Sequence, residues 1–333
     1  MDQAREDGTK MTDWIFTHGD GDGICSGALA LAANPGFKVF FTHPFGLFED
    51  LKQVKRGERV IICDIALSEA HLDQLLRRFK EINEASSLVY VDHHPLPLDL
   101  RENEIPCHVV HSDFASASEL VFTLFEDKLD VSFSRIAIYG AVSDYLDNTP
   151  KIIELLRLWD KRTIYFETGV LVQGIEGMRR KYDFKREIVK QLSKNIPPSF
   201  NKILFNLALI NTRFEEELIK IIKREVKSLG EVAYVVDISP LLGKSAIYAM
   251  SVTGNLVGIA GETRGEVVDV SLRTRSDKIN LNKILRKIAV KMGGSGGGHP
   301  KAAGARIPKV SFKEFLKRLN EEISRFKDDV RTK

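Results

Sequence analysis

The sequence predicts an α/β protein of two domains, the first on a mainly parallel sheet flanked by helices, the second on a smaller mixed sheet. Three observations lead there. From residue 13 to about 112, short apolar runs alternate with amphipathic stretches. Such strands, separated by helices, indicate a parallel sheet covered on both faces. From "SASELVFTLFED" to about residue 229 the pattern is helical, and after Gly230 closely spaced strands return between Gly and Asn turns.

In chain order, "WIFTH", "KVFFT", "RVIICDI", "SLVYVDH" and "CHVVHSD" read as strands, with helices "SGALALAAN", "FEDLKQV" and "SEAHLDQLLRRFKEINEA" between them. The helical part is interrupted by "NIPPSF" at 195–200 and ends with "NKILFNLALINTRFEEELIKIIKREVKSLG". Next, "VAYVVDIS", "SAIYAMSV", "NLVGIAGET" and "EVVDVSLRTR" read as strands. Helix "NLNKILRKIAVKM", the segment "GGSGGGHPKAAGARI" and helix "SFKEFLKRLNEEISRF" follow. This divides the chain into a first domain at 11–192, a helical connector at 193–230 and a second domain at 231–328. The glycine run at 293–298 is the one low-complexity patch, and no internal repeat is visible.

At 333 residues the chain has ample length for two cores. A net charge of +3 permits a polyanionic partner without demanding one. No apolar run reaches the roughly 18 residues of a membrane span, and "MDQAREDGTKMTDW" lacks a signal-peptide core. A soluble cytoplasmic protein is expected. Cys25, Cys63 and Cys107 are odd in number and form no C-x-x-C pair, which argues against structural zinc or a disulfide framework. Only five glutamines stand among abundant Lys, Glu and Arg, a composition that leans towards a thermophilic source.

The stretch "FTHGDGDGICSG" at 16–27 follows the first strand as a phosphate loop would. The dinucleotide fingerprint fails, because its third glycine falls on Ser26. Two carboxylates, Asp20 and Asp22, would also repel a pyrophosphate unless a cation lay between. With His18 they supply one imidazole and two carboxylates, a donor set suited to Mn²⁺, Zn²⁺ or Fe, with Mg²⁺ as an alternative. On this stretch alone, a metal loop and a polar turn with a capping Asp read equally well.

Ligands of an open parallel sheet bind beyond the carboxyl ends of its strands. There the third strand presents Asp64, and the fourth presents Asp92, His93 and His94. Helix "RIAIYGAVSDYLDN" adds Asp144 and Asp147. Clustered carboxylates repel unless cations neutralise them, so their convergence on one edge points to metal.

The ordered motifs "HGDGDG", "ICD", "VDHHP" and "YGAVSD" resemble those of the DHH phosphoesterases, and "GGSGGGHPKAAG" resembles the glycine-histidine signature of their DHHA1 domain. The resemblance runs over about residues 13–307 and is strongest to archaeal RecJ-like nucleases, including the Hef-associated nuclease, and to short-oligonucleotide nucleases. It implies two Mn²⁺ ions, with Mg²⁺ as a substitute. One would be held by Asp20, Asp64 and His18, the other by Asp22, Asp64, His93 and Asp144, with Asp64 bridging. In many relatives the first histidine lies four residues before the first Asp, whereas His18 lies two before Asp20. The resemblance further implies that Asp92 orients the histidine pair, that His94 faces the scissile phosphate, and that Asp147 supports the ligands from behind. Two ions about 3.5–4 Å apart activate a water and stabilise the leaving oxygen.

Within the second domain, the resemblance implies that Arg273 and the loop Gly296, Gly297, Gly298 and His299 hold the substrate strand across the cleft from the metals. Lys301 and Arg275 stand nearby in sequence. Glycines followed by His and Lys read as a nest of bare N–H groups. "SASE" at 116–119 fits a capping box, and "MRRKYDFKRE" at 178–187 reads as a backbone-tracking run or a solvated helix face. The activity that the resemblance implies is a 3′→5′ exonuclease releasing mononucleotides from single-stranded DNA or RNA, in DNA repair or replication. The alternatives are a nanoRNase or 3′-phosphoadenosine 5′-phosphate phosphatase and, against the intact aspartates, an inactive scaffold. Expected partners are single-stranded nucleic acid, further copies of the chain in a homo-oligomer and, by resemblance, a repair helicase such as Hef.

Overall fold

A computed structural model describes residues 11–178 and 180–326. The chain forms two compact units dividing between Asn211 and Thr212. No helix among the described residues is long and apolar enough to cross a membrane.

The first unit starts with β1 (Trp14–Thr17), α1 (Gly21–Ala33), β2 (Lys38–Phe41), α2 (Leu47–Asp50) and β3 (Val60–Cys63). It continues with α3 (Leu72–Ala85), β4 (Leu88–Asp92), β5 (His108–His111), α4 (Ala117–Leu124) and α5 (Ser134–Ser143). Helices α6 (Pro150–Leu156), α7 (Lys161–Ile175), α8 (Tyr182–Leu192) and α9 (Lys202–Glu225) follow, and the division between units falls inside α9. The five strands are parallel in the order β2-β1-β3-β4-β5. Alternate strand residues enter two cores. Ile15, Ile61, Cys63 and Val91 pack with α1, α5 and α7 residues, while Phe16, Ile62 and Tyr90 pack with Phe79 and Ile82 of α3. This two-sided burial is why the strands read as continuous apolar runs. The order reverses between β1 and β3, so the crevice for a ligand lies at their carboxyl ends.

The second unit holds the end of α9, then β6 (Lys227–Leu229), β7 (Val232–Val236), α10 (Leu242–Thr253), β8 (Val257–Arg264) and β9 (Val267–Thr274). It closes with α11 (Leu281–Lys291), β10 (Ser295–Gly298), β11 (Ala302–Pro308) and α12 (Phe312–Ser324). The sheet order β10-β11-β9-β8-β7-β6 is mixed, with only β7 and β8 parallel.

Three readings need correction. "SAIYAMSV" lies in α10, not in a strand. A short apolar run has no decisive period. What settles it is packing, because Ala246, Ala249 and Met250 are buried along one helical face. Gly254 then ends the helix in the left-handed region at φ +73°. Helix α9 stops at Glu225, and Lys227–Leu229 joins the sheet. Lastly, much of the glycine run is the edge strand β10, antiparallel to β11 with Gly296 opposite Ala305, and not an open nest. Of the sequence features above, residues 1–10, Arg179 of the basic run and residues 327–328 of the expected second domain lie outside the described residues.

Candidate metal centre

The glycine-rich loop between β1 and α1 is built as a helix entry. Asp20 caps α1, its Oδ1 accepting the Gly23 N–H at 3.0 Å. Its other oxygen lies 2.7 Å from Nδ1 of His18. The capping and metal readings of this loop are therefore compatible: one oxygen starts the helix and the other faces the cluster. A Cβ on Gly23 would come within 2.4 Å of the His18 carbonyl and 2.9 Å of Asp64 Oδ2, so only glycine lets α1 begin this close.

Asp22 is wholly buried, and its carboxylate caps another helix. Oδ2 accepts the Ala117 N–H at 2.7 Å and Oδ1 the Ser118 N–H at 2.9 Å. These amides open α4, where unpaired N–H groups and the helix dipole favour an anion. Ser116 starts that helix by accepting the Glu119 N–H, but the Glu119 carboxylate receives the Thr149 hydroxyl instead of completing the capping box. Gly140 of α5 leaves the space that Asp22 needs, since a Cβ there would lie 2.5 Å from Asp22 Oδ1.

Asp64 directly follows β3 in the left-handed region at φ +58° and is 1 % exposed. Non-glycine residues adopt this conformation at a cost, and such strain clusters at functional sites. It does not cap the helix after "SEAH". Its Oδ1 is 3.2 Å from Nε2 of His93, while buried Oδ2 makes no hydrogen bond among the described residues and lies 3.9 Å from Nδ1 of His18. The same His93 nitrogen lies 3.7 Å from Asp22 Oδ2 and 3.4 Å from Asp144 Oδ2. One imidazole N–H cannot satisfy three carboxylates, whereas a cation can take all four groups as ligands. Two of the donor sets that could each hold an ion are His18, Asp20 and Asp64, and then Asp22, His93 and Asp144; Asp64, Asp92 and His94 form another in the same cluster. Asp64 faces the first two. Asp147 joins none of them among the described residues.

The charges fit that geometry. Burial, reinforced by Asp20, Asp22, Asp144 and Asp92, pushes the Asp64 carboxyl well above its ordinary range. Burial likewise raises Asp22 and lowers His93, keeping this imidazole neutral as a ligand must be. The Asp20 charge raises His18. At Asp92 burial acts upward, but His94 prevails and brings it to about 2. Burial opposes charge on His94, yet Asp92 outweighs it and pushes this imidazole up to about 9.

Family models bear on the same residues. The DHH family N-terminal domain matches 14–149, and the DHHA1 domain matches 239–325. The chain belongs to the DHH phosphoesterase superfamily. It is 35 % identical over 127 residues to an uncharacterized protein of Methanocaldococcus jannaschii, a match spanning 35 % of this chain and 26 % of the relative. Thus the match covers about a quarter of that relative's length. Among solved structures it resembles a DHH domain described as a member of a family of ribosomal proteins, with TM-score 0.69, 16 % identity, and 94 % and 86 % of the two chains covered. It also resembles Thermus thermophilus RecJ in complex with Mn²⁺, with TM-score 0.67, 15 % identity, and 95 % and 52 % coverage. A pGpG-specific phosphodiesterase from Vibrio cholerae gives TM-score 0.55 and 16 % identity, with 94 % and 99 % coverage.

Within the first unit, three contacts escaped sequence reasoning. The hydrogen bonds of Asp92 go to the ring and backbone of His94, at 2.9 and 3.3 Å, and to the Tyr90 hydroxyl at 2.8 Å, so Asp92 fixes one histidine of the pair by hydrogen bonding. Tyr90 was findable as the residue two before Asp92, on the same face of β4. Lys185, inside the basic run, is buried and donates to the Gly19 carbonyl at 2.5 Å, bracing the aspartate loop. His111 places Nε2 2.8 Å from the His94 carbonyl oxygen.

In the DHHA1 domain, Arg273 of β9 pairs in register with Ala302, and the His299 N–H donates to the Ala302 carbonyl at 2.8 Å. Arg273 and the glycine-histidine segment therefore share one end of that sheet. Asn282 of α11 accepts the Gly298 N–H at 3.2 Å. Arg275 lies just past β9 and donates to Ser251, and Lys301 pairs with Asp277.

Proposed function

We propose that the chain is a two-metal phosphodiesterase that removes mononucleotides from the 3′ end of single-stranded DNA or RNA. The observation that carries the reading is Asp64, a strained and buried carboxylate with an oxygen towards each of two donor sets. The donors fit Mn²⁺, with Mg²⁺ as a substitute: imidazole and carboxylate together suit manganese, and the buried carboxylates need cationic charge. His18, Asp20 and Asp64 would hold one ion, and Asp22, Asp64, His93 and Asp144 the other. When bound, the pair would supply a water of lowered pKa and charge for the leaving oxygen.

The remaining roles belong to the chain's own groups. Asp92 grips Nδ1 of His94 and favours its charged form, and this imidazole would donate to a phosphate oxygen. The α4 amides keep Asp22 fixed while substrate exchanges. Arg273 and Gly296–His299 take the strand itself.

A second reading, hydrolysis of two- to five-residue oligonucleotides, has support in the fold likeness to the pGpG-specific enzyme, which extends over 99 % of that chain. One experiment separates the two. End-labelled DNA and RNA of 2 to 40 nucleotides, together with a circular single strand, are digested with Mn²⁺ or Mg²⁺ and resolved on a gel. Stepwise loss of mononucleotides from linear strands supports the exonuclease. Activity confined to two- to five-mers supports the second reading, and rapid cutting of the circle would refute attack at an end.

A further inference from the structure

A pocket of about 390 Å³ in the first unit lies beside the acidic cluster and is not used by the roles above. Its lining includes Ser112, Phe114, Glu119, Asn148 and Thr149. Both of its walls start from residues that touch the cluster. Ser112 donates its N–H to the Asp92 carbonyl, and Ala117 and Ser118, just before Glu119, hold Asp22. The other wall, Asn148 and Thr149, follows four residues after Asp144.

Phe114 is the unexplained feature. It is 83 % exposed, while the residues that follow it, Ala115 to Ala117, are buried. Its N–H donates to the Ser112 hydroxyl at 3.3 Å, fixing the turn that holds the ring out. An aromatic face beside a hydroxyl, an amide and a buried carboxyl is what a heteroaromatic ring with polar edges requires. A bare phosphate would need cations, and the lining has none among the described residues.

We infer that this pocket binds a nucleobase of the strand whose phosphate meets the cluster, with Phe114 stacking on the base and Asn148 and Ser112 facing its polar edge. The inference rests on the phosphodiesterase reading and adds a base subsite to it. Stacking on a single aromatic ring tolerates any base, so the subsite favours nucleotides over base-free phosphodiesters without selecting one sequence.

The test compares wild type with Phe114→Ala and Phe114→Trp under Mn²⁺. Substrates are a short oligonucleotide and the same strand with abasic residues at its cleaved end. Binding of a 2-aminopurine dinucleotide is followed by fluorescence quenching with Ca²⁺ in place of Mn²⁺. Phe114→Ala is expected to raise KM on the normal strand about tenfold, with a much smaller change in kcat and similar kinetics to wild type on the abasic strand. Phe114→Trp is expected to restore KM and the quenching. Equal KM for wild type and Phe114→Ala on the normal strand, or an equal loss on the abasic one, would overturn the base pocket. A wild type that cleaves neither strand yet shows Phe114-dependent quenching would overturn the phosphodiesterase reading while supporting the pocket. Absence of quenching in wild type would overturn the pocket by itself.

Discussion

Asp64→Asn is the sharpest perturbation of the proposed centre, because Asn keeps the shape and accepts the backbone. At φ +58° Asn is among the few non-glycine residues that sit comfortably, so the fold should survive where Ala would add strain. Asp64 faces both donor sets, with Oδ1 3.2 Å from His93 and Oδ2 3.9 Å from His18, so one substitution should weaken both ions. Binding at a hundredfold excess over Kd stabilises by about 2.7 kcal/mol per site, hence about 5 kcal/mol for two. For a unit of this size each kcal/mol is worth about 2–4 °C, so Mn²⁺ should raise the wild-type Tm by about 10–20 °C. The variant should lose most of that rise and at least about two orders of magnitude in kcat, equivalent to about 2.7 kcal/mol of barrier. Without metal the order reverses with pH. The Asp64 carboxyl is raised in the folded state, so its contribution is fully present below its ordinary value of 3.8 and is lost as pH rises through the folded value. Asn does not titrate. Metal-free wild type should therefore lose stability relative to the variant as pH climbs from about 4. Differential scanning calorimetry with EDTA and with Mn²⁺ reads both effects. A variant with the full Mn²⁺ shift and near-normal turnover would sink the bridging role.

Other consequences are simpler to test. Asp92 favours the charged form of His94, so Asp92→Asn should move the alkaline fall of kcat/KM to lower pH; an unmoved limb would assign it to another group. Arg273→Ala and His299→Ala should raise KM on oligonucleotides and leave Mn²⁺ titration calorimetry nearly unchanged, since both lie in the second unit; a lost metal site in either would contradict the division of labour. Binding to a single strand should weaken only mildly with salt, with a slope well short of that of a duplex binder contacting six to ten phosphates; a steep slope would mean a long backbone track.

The edge that carries the acidic cluster could be read from the residues because a parallel sheet restricts where ligands gather. Strands buried on both faces appear as apolar runs, their ends mark one edge, and Asp20, Asp22, Asp64, Asp92 and His93 all stand there. The same logic failed at "SAIYAMSV", where eight mostly apolar residues carry no decisive period and only the packing of Ala246 and Ala249 makes the helix. It failed again for the glycine run, whose pairing with β11 lies in the partner strand and not in its own composition.

Residue chemistry and local order therefore determined which carboxylates and imidazoles could meet at the edge of the first sheet. Tertiary structure decided what holds them there. The amides that grip Asp22 come from 95 and 96 positions along the chain, and the lysine that braces Gly19 from 166. Neither pairing has a local signal, because a backbone N–H looks the same in every residue and a buried lysine looks like an exposed one. Burial itself, which raises Asp64 and keeps His93 neutral, is a property of the packed units and has no counterpart in the isolated motifs.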